Sequence, residues 1–393
     1  MESYRPLFPY FGGKSRIANI VWSLLGDVDN YIEPFFGSGA VLFMRPETHK
    51  GDCETVNDKN AFVANFWRAV KVSPEEVARY ADNPVNEADL MARHIWLVKY
   101  GLPELRSRIF ADPEYYNPKI AGWWAWGLCV WVGSGWCKGD GRWTEVDGVL
   151  VDKKSMVAGE TSVDSPPGVS KGPPFVADRG KGLVSISCGV DKGPPFVGHR
   201  GRGVVSISYG VDKGAPYVSK KGQGIIIRTM SCGRTPEADE TYSRILDAIL
   251  YFHKRLRNVR VLCGDWKRVV DDSVLYYGKV KGVFLDPPYN IGAPSSRMYG
   301  DDEESMDVVR EVNNWCAEKG NNENIRIVLC GYEGQHNNLE DIGWRKLKWI
   351  ANRSWGSGSD TENNKNRMRE RIWYSPYCLP YNSGDRWNHP TLW

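Results

Sequence analysis

Residues 29–43 read DNYIEPFFGSGAVLF. Tyr31 and Ile32 favour an extended strand, Pro34 ends its ladder, and Gly37-Ser38-Gly39 turns the chain into the apolar run Ala40–Phe43. A strand, a glycine turn and a helix in this order open many nucleotide-binding α/β sheets, where glycines let the backbone approach a ligand. Two glycines after a strand also make an ordinary tight turn. Some nineteen residues beyond Gly39, however, Asp58 closes the short strand Glu54–Asp58. Such sheets place an acid for ribose hydroxyls at that position, so the spacing favours a cofactor turn.

Outward from this unit the chain alternates between helical and extended patterns. Helical periodicity covers 60–72, 73–81 (with Ser73-Pro74-Glu75-Glu76 as a helix start), 87–100, 102–111 and 116–136. After Pro236 an amphipathic helix over 239–257 leads to a strand at Val259–Cys263. Then come strand Gly282–Leu285, helix Glu303–Lys319, strand Ile325–Cys330 and two late strands near 346–350 and 371–374. This predicts an α/β fold: a Rossmann-like, mainly parallel sheet with helices on both faces and an antiparallel edge. The stretch between about 60 and 236 breaks that rhythm. The expected organisation is a catalytic domain of residues 1–60 and 237–393, a helical insertion over 61–147 and a basic β-repeat insertion over 148–236.

Three consecutive 21-residue units make up most of the second insertion: GVSKGPPFVADRGKGLVSISC from Gly168, GVDKGPPFVGHRGRGVVSISY from Gly189 and GVDKGAPYVSKKGQGIIIRTM from Gly210. Each holds a Gly-Pro turn, a basic glycine-rich turn and an alternating apolar strand. Ten Lys/Arg against three Asp give the repeats +7; the whole chain sums to +3, so the remainder carries −4. One reading is a β stack whose charges face water. The favoured reading is a basic ladder along a nucleic-acid backbone, with Arg200 and Arg202 at the same offsets as Arg179 and Lys181, and Lys220 and Lys221 in the corresponding turn of the third unit. Arg367 and Arg369, in the polar stretch Arg353–Arg371, are further basic residues for such a grip; a solvated linker is the alternative there.

Composition narrows the classes. With 12% aromatic residues and 17 Trp the chain is not intrinsically disordered. Its 41 glycines exceed the roughly 28 that average usage of about 7% would give. Nine Cys without a Cys-x-x-Cys pair argue against a zinc ribbon or a disulfide scaffold and for a reducing cytoplasm, and no His spacing suggests a metal site. The apolar run Ile120–Val132 is too short to cross a bilayer and reads as a buried Trp-rich helix. A soluble intracellular protein is expected.

Chemistry concentrates in two further motifs. Asp286-Pro287-Pro288-Tyr289 follows the apolar strand Val283–Leu285. Two prolines end the ladder and stiffen the loop, so the Asp carboxylate and the peptide carbonyls become preset acceptors for an exocyclic amine, with Tyr289 as a stacking face. The other motif is Pro9-Tyr10-Phe11-Gly12-Gly13-Lys14. A phosphate-loop reading of Gly13-Lys14-Ser15 fails because Phe8 stands where that motif needs glycine.

PYFGGK, EPFFGSG and DPPY in this order resemble the Dam-like family of DNA adenine N6-methyltransferases, in a phage-like form. The resemblance covers about 5–70 and 240–375 and also takes in Gly264-Asp265-Trp266. It implies S-adenosylmethionine as cofactor and double-stranded DNA as partner, in the cytoplasm of a bacterial or phage-infected cell. It places Tyr10, Gly12, Gly13, Lys14, Glu33, Phe35, Gly37, Gly39, Asp58, Asp265 and Asp286 at the cofactor. Within that set Glu33 would meet the methionyl amine and Asp58 the ribose. Asp286, Pro287, Pro288 and Tyr289 would hold a flipped adenine whose amine attacks the methyl group directly and in line. The long insertion departs from the family pattern. Two alternatives stay open: a methyltransferase on another planar amine (cytosine N4 or a protein glutamine), and a catalytically silent DNA-binding protein. A cytosine C5 enzyme would need a Pro-Cys nucleophile, and the chain has no Pro-Cys dipeptide.

Overall fold

The structure, a computed structural model, describes residues 5–10, 13–131, 135–137, 143–146, 149–152, 236–288, 302–349 and 369–381. The three repeats, with the basic residues assigned to DNA there, lie outside the described residues, as do Phe11, Gly12, Tyr289 and Arg367.

In chain order the elements are α1 (Ala18–Leu25), β1 (Asn30–Glu33), α2 (Ala40–Phe43), β2 (Cys53–Asp58), α3 (Ala61–Val72), α4 (Pro74–Ala81) and α5 (Glu87–Trp96). Next come α6 (Leu102–Arg108), α7 (Pro118–Val130), and the hairpin β3 (Trp143–Val146) and β4 (Val149–Asp152). The chain resumes with α8 (Pro236–Leu256), β5 (Val259–Cys263), α9 (Asp272–Leu275), β6 (Lys281–Leu285) and α10 (Asp302–Lys319). It ends in β7 (Ile325–Tyr332), β8 (Arg345–Lys348) and β9 (Glu370–Tyr374). These elements divide into two compact units, one of residues 1–4, 10–64 and 254–393, and a second of 5–9 and 65–253.

The first unit is an α/β fold of the Rossmann-like methyltransferase type, built on a seven-stranded sheet in the order β5-β2-β1-β6-β7-β9-β8. The five strands from β5 to β7 are parallel, while β9 runs antiparallel to β7 and β8 on either side of it. From β1 the chain first builds outward through β2 to β5, then returns to lay β6 on the other flank of β1. That reversal leaves a crevice at the carboxyl ends of β1 and β6, where open α/β sheets take their ligands.

Register and alternation sort the side chains by face. Ile32, Val283, Leu285, Ile327, Leu329 and Trp373 share one face and pack with Val312 and Cys316 of α10, Trp266 and Trp344. The other face carries Tyr31 and Glu33 of β1, Phe284, then Val328, Cys330 and Tyr332 of β7, with Glu370 registered opposite Tyr332. Helix α1 covers this second face, with the Trp22 ring 4.7 Å from that of Tyr31. Glu54 of β2, also buried, takes both arms of Arg255 from α8, each at 2.6 Å, and Nη1 of Arg45 at 2.8 Å. A buried carboxylate is tolerable because it is fully paired.

The second unit uses the surplus tryptophan as core. Phe8, Phe66, Trp67 and Trp124 form a cluster with centroids 4.9–5.9 Å apart, the geometry favoured by aromatic quadrupoles. The buried Arg68 donates to the carbonyls of Ile109, Asp112 and Tyr115 at 3.0–3.2 Å. Two helices differ from their sequence pattern. The run 87–111 is interrupted by a π-helical turn at Leu97–Gly101, because Pro103 has no N–H to continue the α-helical ladder. Helix α7 stops at Val130, not at Trp136. The chain folds back so that Trp136 Nε1 donates to the Trp124 carbonyl at 3.0 Å, its ring lying where a Cβ on Gly127 would stand. At α4 the expected start holds at Pro74, but Ser73 makes no side-chain cap; its hydroxyl meets Tyr116 Oη at 3.1 Å.

No helix among the described residues is long and apolar enough to cross a membrane. Among the described residues no group of three or more His, Cys, Asp or Glu could hold a metal ion.

Candidate active site

Asp286 directly follows β6, and alternation points it to the α1 side of the sheet, the side of Phe284. Lys14 sits four residues before α1 on that side, and its Nζ lies 2.9 Å from Asp286 Oδ2, with side chains only 5% and 18% exposed. Burial works against the lysine charge, but Asp286 and then Glu370 outweigh it and hold Lys14 protonated, above its ordinary range. The Trp349 ring lies 5.9 Å from Nζ. Pro287 is buried and Pro288 partly so, which anchors the rigid loop behind the carboxylate.

Two more carboxyl groups share this face. Glu33, at the end of β1, is 2% exposed and accepts from Tyr31 Oη at 2.9 Å. Burial pushes its carboxyl well above the usual range, and the charge of Asp286 adds to this. Glu370, at the start of β9, is 7% exposed, and burial raises it to about 7. Among the described residues its Oε2 has no hydrogen-bond partner, and it is buried. One lysine thus stands among the half-buried Asp286 and the buried Glu33 and Glu370.

Beside this cluster the ends of β1, β2 and β5 are laced together. Gly37 and Gly39 adopt φ of +49° and +71°. A Cβ on Gly37 would come within 2.7 Å of the Tyr10 ring, so only glycine permits that approach. The Gly37 N–H donates to Asp58 Oδ2 at 2.9 Å and the Asn60 N–H to Oδ1 at 2.8 Å. Burial raises Asp58 to about 6 against these two bonds. Asn57 Nδ2 donates to the carbonyls of Pro34 and Gly264 at 3.1 and 3.0 Å, tying both neighbouring turns to β2. Asp265 is exposed and caps the short turn Trp266–Val269 by accepting from the Lys267 N–H at 2.9 Å. The Phe35 ring lies 6.0 Å from that of the buried Trp266.

The structure therefore brings Lys14, Asp286 and Glu33 into one electrostatic cluster, and Tyr10, Gly37, Gly39 and Asp58 into one turn. Phe35 and Trp266 form an aromatic wall beside Asp265. Gly13 is exposed, and its N–H donates to the Tyr10 carbonyl at 3.4 Å. Arg369 lies over the Tyr332 ring at 5.7 Å, and its neighbour Arg371 is ion-paired with Glu333.

Residues 10–94 match the family model described as D12 class N6 adenine-specific DNA methyltransferase. Over that segment, residues 10–94 of a 393-residue chain, the protein is similar to this family. Lys14, Glu33, the Gly37/Gly39 turn and Asp58 lie inside the matched segment; Asp286 and Glu370 lie beyond it. No curated protein matches the chain. The match supports DNA adenine-N6 methyltransferase activity, with DNA as the substrate it implies.

Two contributors escaped the sequence reading. Asn57 had a faint signal, an amide next to the strand-ending Asp58. Glu370 had none, since it stands in the arginine-rich run RMRERIW.

Proposed function

We propose that the enzyme transfers a methyl group from S-adenosylmethionine to N6 of an adenine flipped out of duplex DNA, with Asp286 as acceptor for the amine. The observation carrying this is the Lys14–Asp286 pair at 2.9 Å, at the crevice between β1 and β6.

The residues fit the cofactor. The missing Cβ at Gly37 lets the Tyr10 ring close on the turn, and the buried Glu33 carboxyl suits an ammonium group. Asp58 keeps acceptor capacity beyond its two backbone bonds for ribose hydroxyls. Phe35, half-buried and backed by the buried Trp266, offers an apolar face for a purine, next to Asp265. When bound, S-adenosylmethionine supplies an electrophilic methyl group.

The chain's own groups do the rest. Asp286 and the Pro287 carbonyl accept hydrogen bonds from the adenine amine, which orients it and leaves its lone pair free. As the nitrogen gains a fourth bond it becomes cationic; the carboxylate stabilises that charge and accepts the departing proton. The prolines hold both acceptors in place before the base arrives. Incubating the full chain with duplex DNA and methyl-labelled cofactor is expected to yield N6-methyladenine on nucleoside mass analysis. Label on cytosine or on protein alone would refute the assignment, and no transfer at all would favour the silent binder.

The repeats supply the grip on DNA in this proposal, on sequence grounds: their charge is +7 and recurs every 21 residues. Replacing Arg179, Lys181, Arg200 and Arg202 together by Ala is expected to weaken duplex binding and flatten its salt dependence. The slope of log affinity against log salt should fall by roughly 0.9 for each phosphate no longer neutralised. An unchanged slope leaves the repeats a structural role.

A further inference from the structure

Glu370 is the one acid of the cluster with no part in the mechanism above. Its position follows from register. Leu285 pairs with Leu329, which sets Asp286 level with Cys330, and Tyr332, two residues further on, pairs with Glu370. Residues two apart share a face, so Asp286, Cys330, Tyr332 and Glu370 all point to the side where Lys14 lies. A buried carboxyl oxygen without a partner is costly, and an apolar residue would pack there without that penalty. Among the described residues, Oε2 of Glu370 is such an atom.

We propose that Glu370 is a positioning residue for methyl transfer: once ionised, it draws Lys14 away from Asp286 and restores Asp286 as an acceptor for the adenine amine. The inference rests on the reading of Asp286 given above. While Glu370 is neutral, Lys14 and Asp286 cancel each other, and the site has no net charge to offer a nitrogen turning cationic. Once Glu370 is charged, the three groups sum to −1, and the developing charge meets a net anion in a dry site.

The groups facing Glu370 are Lys14 from before α1, Asp286 from after β6, and Cys330 and Tyr332 from β7, with Arg369 over the Tyr332 ring. Tyr332 is held up to about 12 by burial and then by Glu370, so it stays neutral. Arg371 is turned to Glu333. The sign follows: below about 7 Glu370 keeps its proton and Lys14 stays on Asp286, and above it the carboxylate competes for Lys14.

The test is single-turnover methyl transfer by the full chain at saturating cofactor, between about pH 6 and pH 8.5. In the unaltered protein the rate should rise with a midpoint of about 7. Glu370→Gln should lower it about tenfold at the alkaline end and flatten the profile, with the cofactor KM unchanged. Glu370→Asp should restore part of both rate and slope. A folded Glu370→Gln protein with the full rate or the same pH profile overturns the proposal. A second measurement needs no activity. With ¹⁵N-labelled lysine, the Lys14 Nζ resonance, assigned through Lys14→Arg, should shift with a midpoint of about 7 and lose that shift in Glu370→Gln. An invariant resonance in the unaltered protein overturns the proposal. Absence of methyl transfer combined with a titrating resonance would instead overturn the assigned reaction and leave the coupling standing.

Discussion

Asp286→Asn is expected to slow methyl transfer to adenine by about 10²–10³-fold, the usual loss when one preorganised electrostatic partner is removed from a reacting centre. Asn keeps the size of the side chain and one acceptor oxygen. It loses the charge that steadies the cationic nitrogen and the basicity that takes its proton, and its amide N–H₂ repels the amine hydrogens. The isosteric change is the informative one. Asp286→Ala would also leave Lys14, 5% exposed, buried without the carboxylate now 2.9 Å away, and losing one partner of a buried pair costs about 3–5 kcal/mol. Asn can still accept from Lys14, so the melting temperature should fall less than in the Ala variant. Single-turnover rates with thermal melts beside them separate chemistry from folding. A stable Asp286→Asn enzyme within tenfold of the normal rate would remove Asp286 from the mechanism.

Local signals carried far in this chain where the physics was local. The glycine turn after β1 was legible because Gly37 and Gly39 hold positive φ that other residues resist, and a strand precedes them. Asp286 was legible because two prolines end a ladder wherever they occur. Strands β6 and β7 were legible because strands buried on both faces demand near-continuous apolar runs. What stayed hidden depended on register between distant segments. Glu370 faces Lys14 only because β9 enters antiparallel between β7 and β8, which no stretch of RMRERIW reveals. Arg371, one residue on, points to the other side and is spent on Glu333. The end of α7 was missed for a similar reason: Trp136 continues the helical pattern, yet it packs back onto Gly127, a choice made by tertiary packing over local propensity.

Glu33 carries the other large expectation, on cofactor affinity. Its carboxyl is 2% exposed and held well above the usual range, first by burial and then by Asp286, which favours its protonated form in the free protein. An ammonium group docking there needs the carboxylate, so binding must expel that proton. The sign follows from linkage: below the raised pKa of the free protein, affinity for S-adenosylmethionine should rise about tenfold per pH unit. Asp58 titrates at about 6 and Glu370 at about 7, so the part of the slope that Glu33→Gln removes is the part that belongs to Glu33. Calorimetry in two buffers of different ionisation enthalpy should report about one proton released per cofactor bound. Glu33→Gln keeps the shape and the bond from Tyr31 but has no proton to lose. It should abolish both proton release and pH slope. It should also weaken binding about 10- to 100-fold, as expected for a charge-assisted hydrogen bond of about 1.5–3 kcal/mol. If the unaltered protein binds without releasing a proton and Glu33→Gln binds as tightly, the ammonium is held elsewhere, and Glu33 serves only to steady Tyr31 in the α1 face of the sheet.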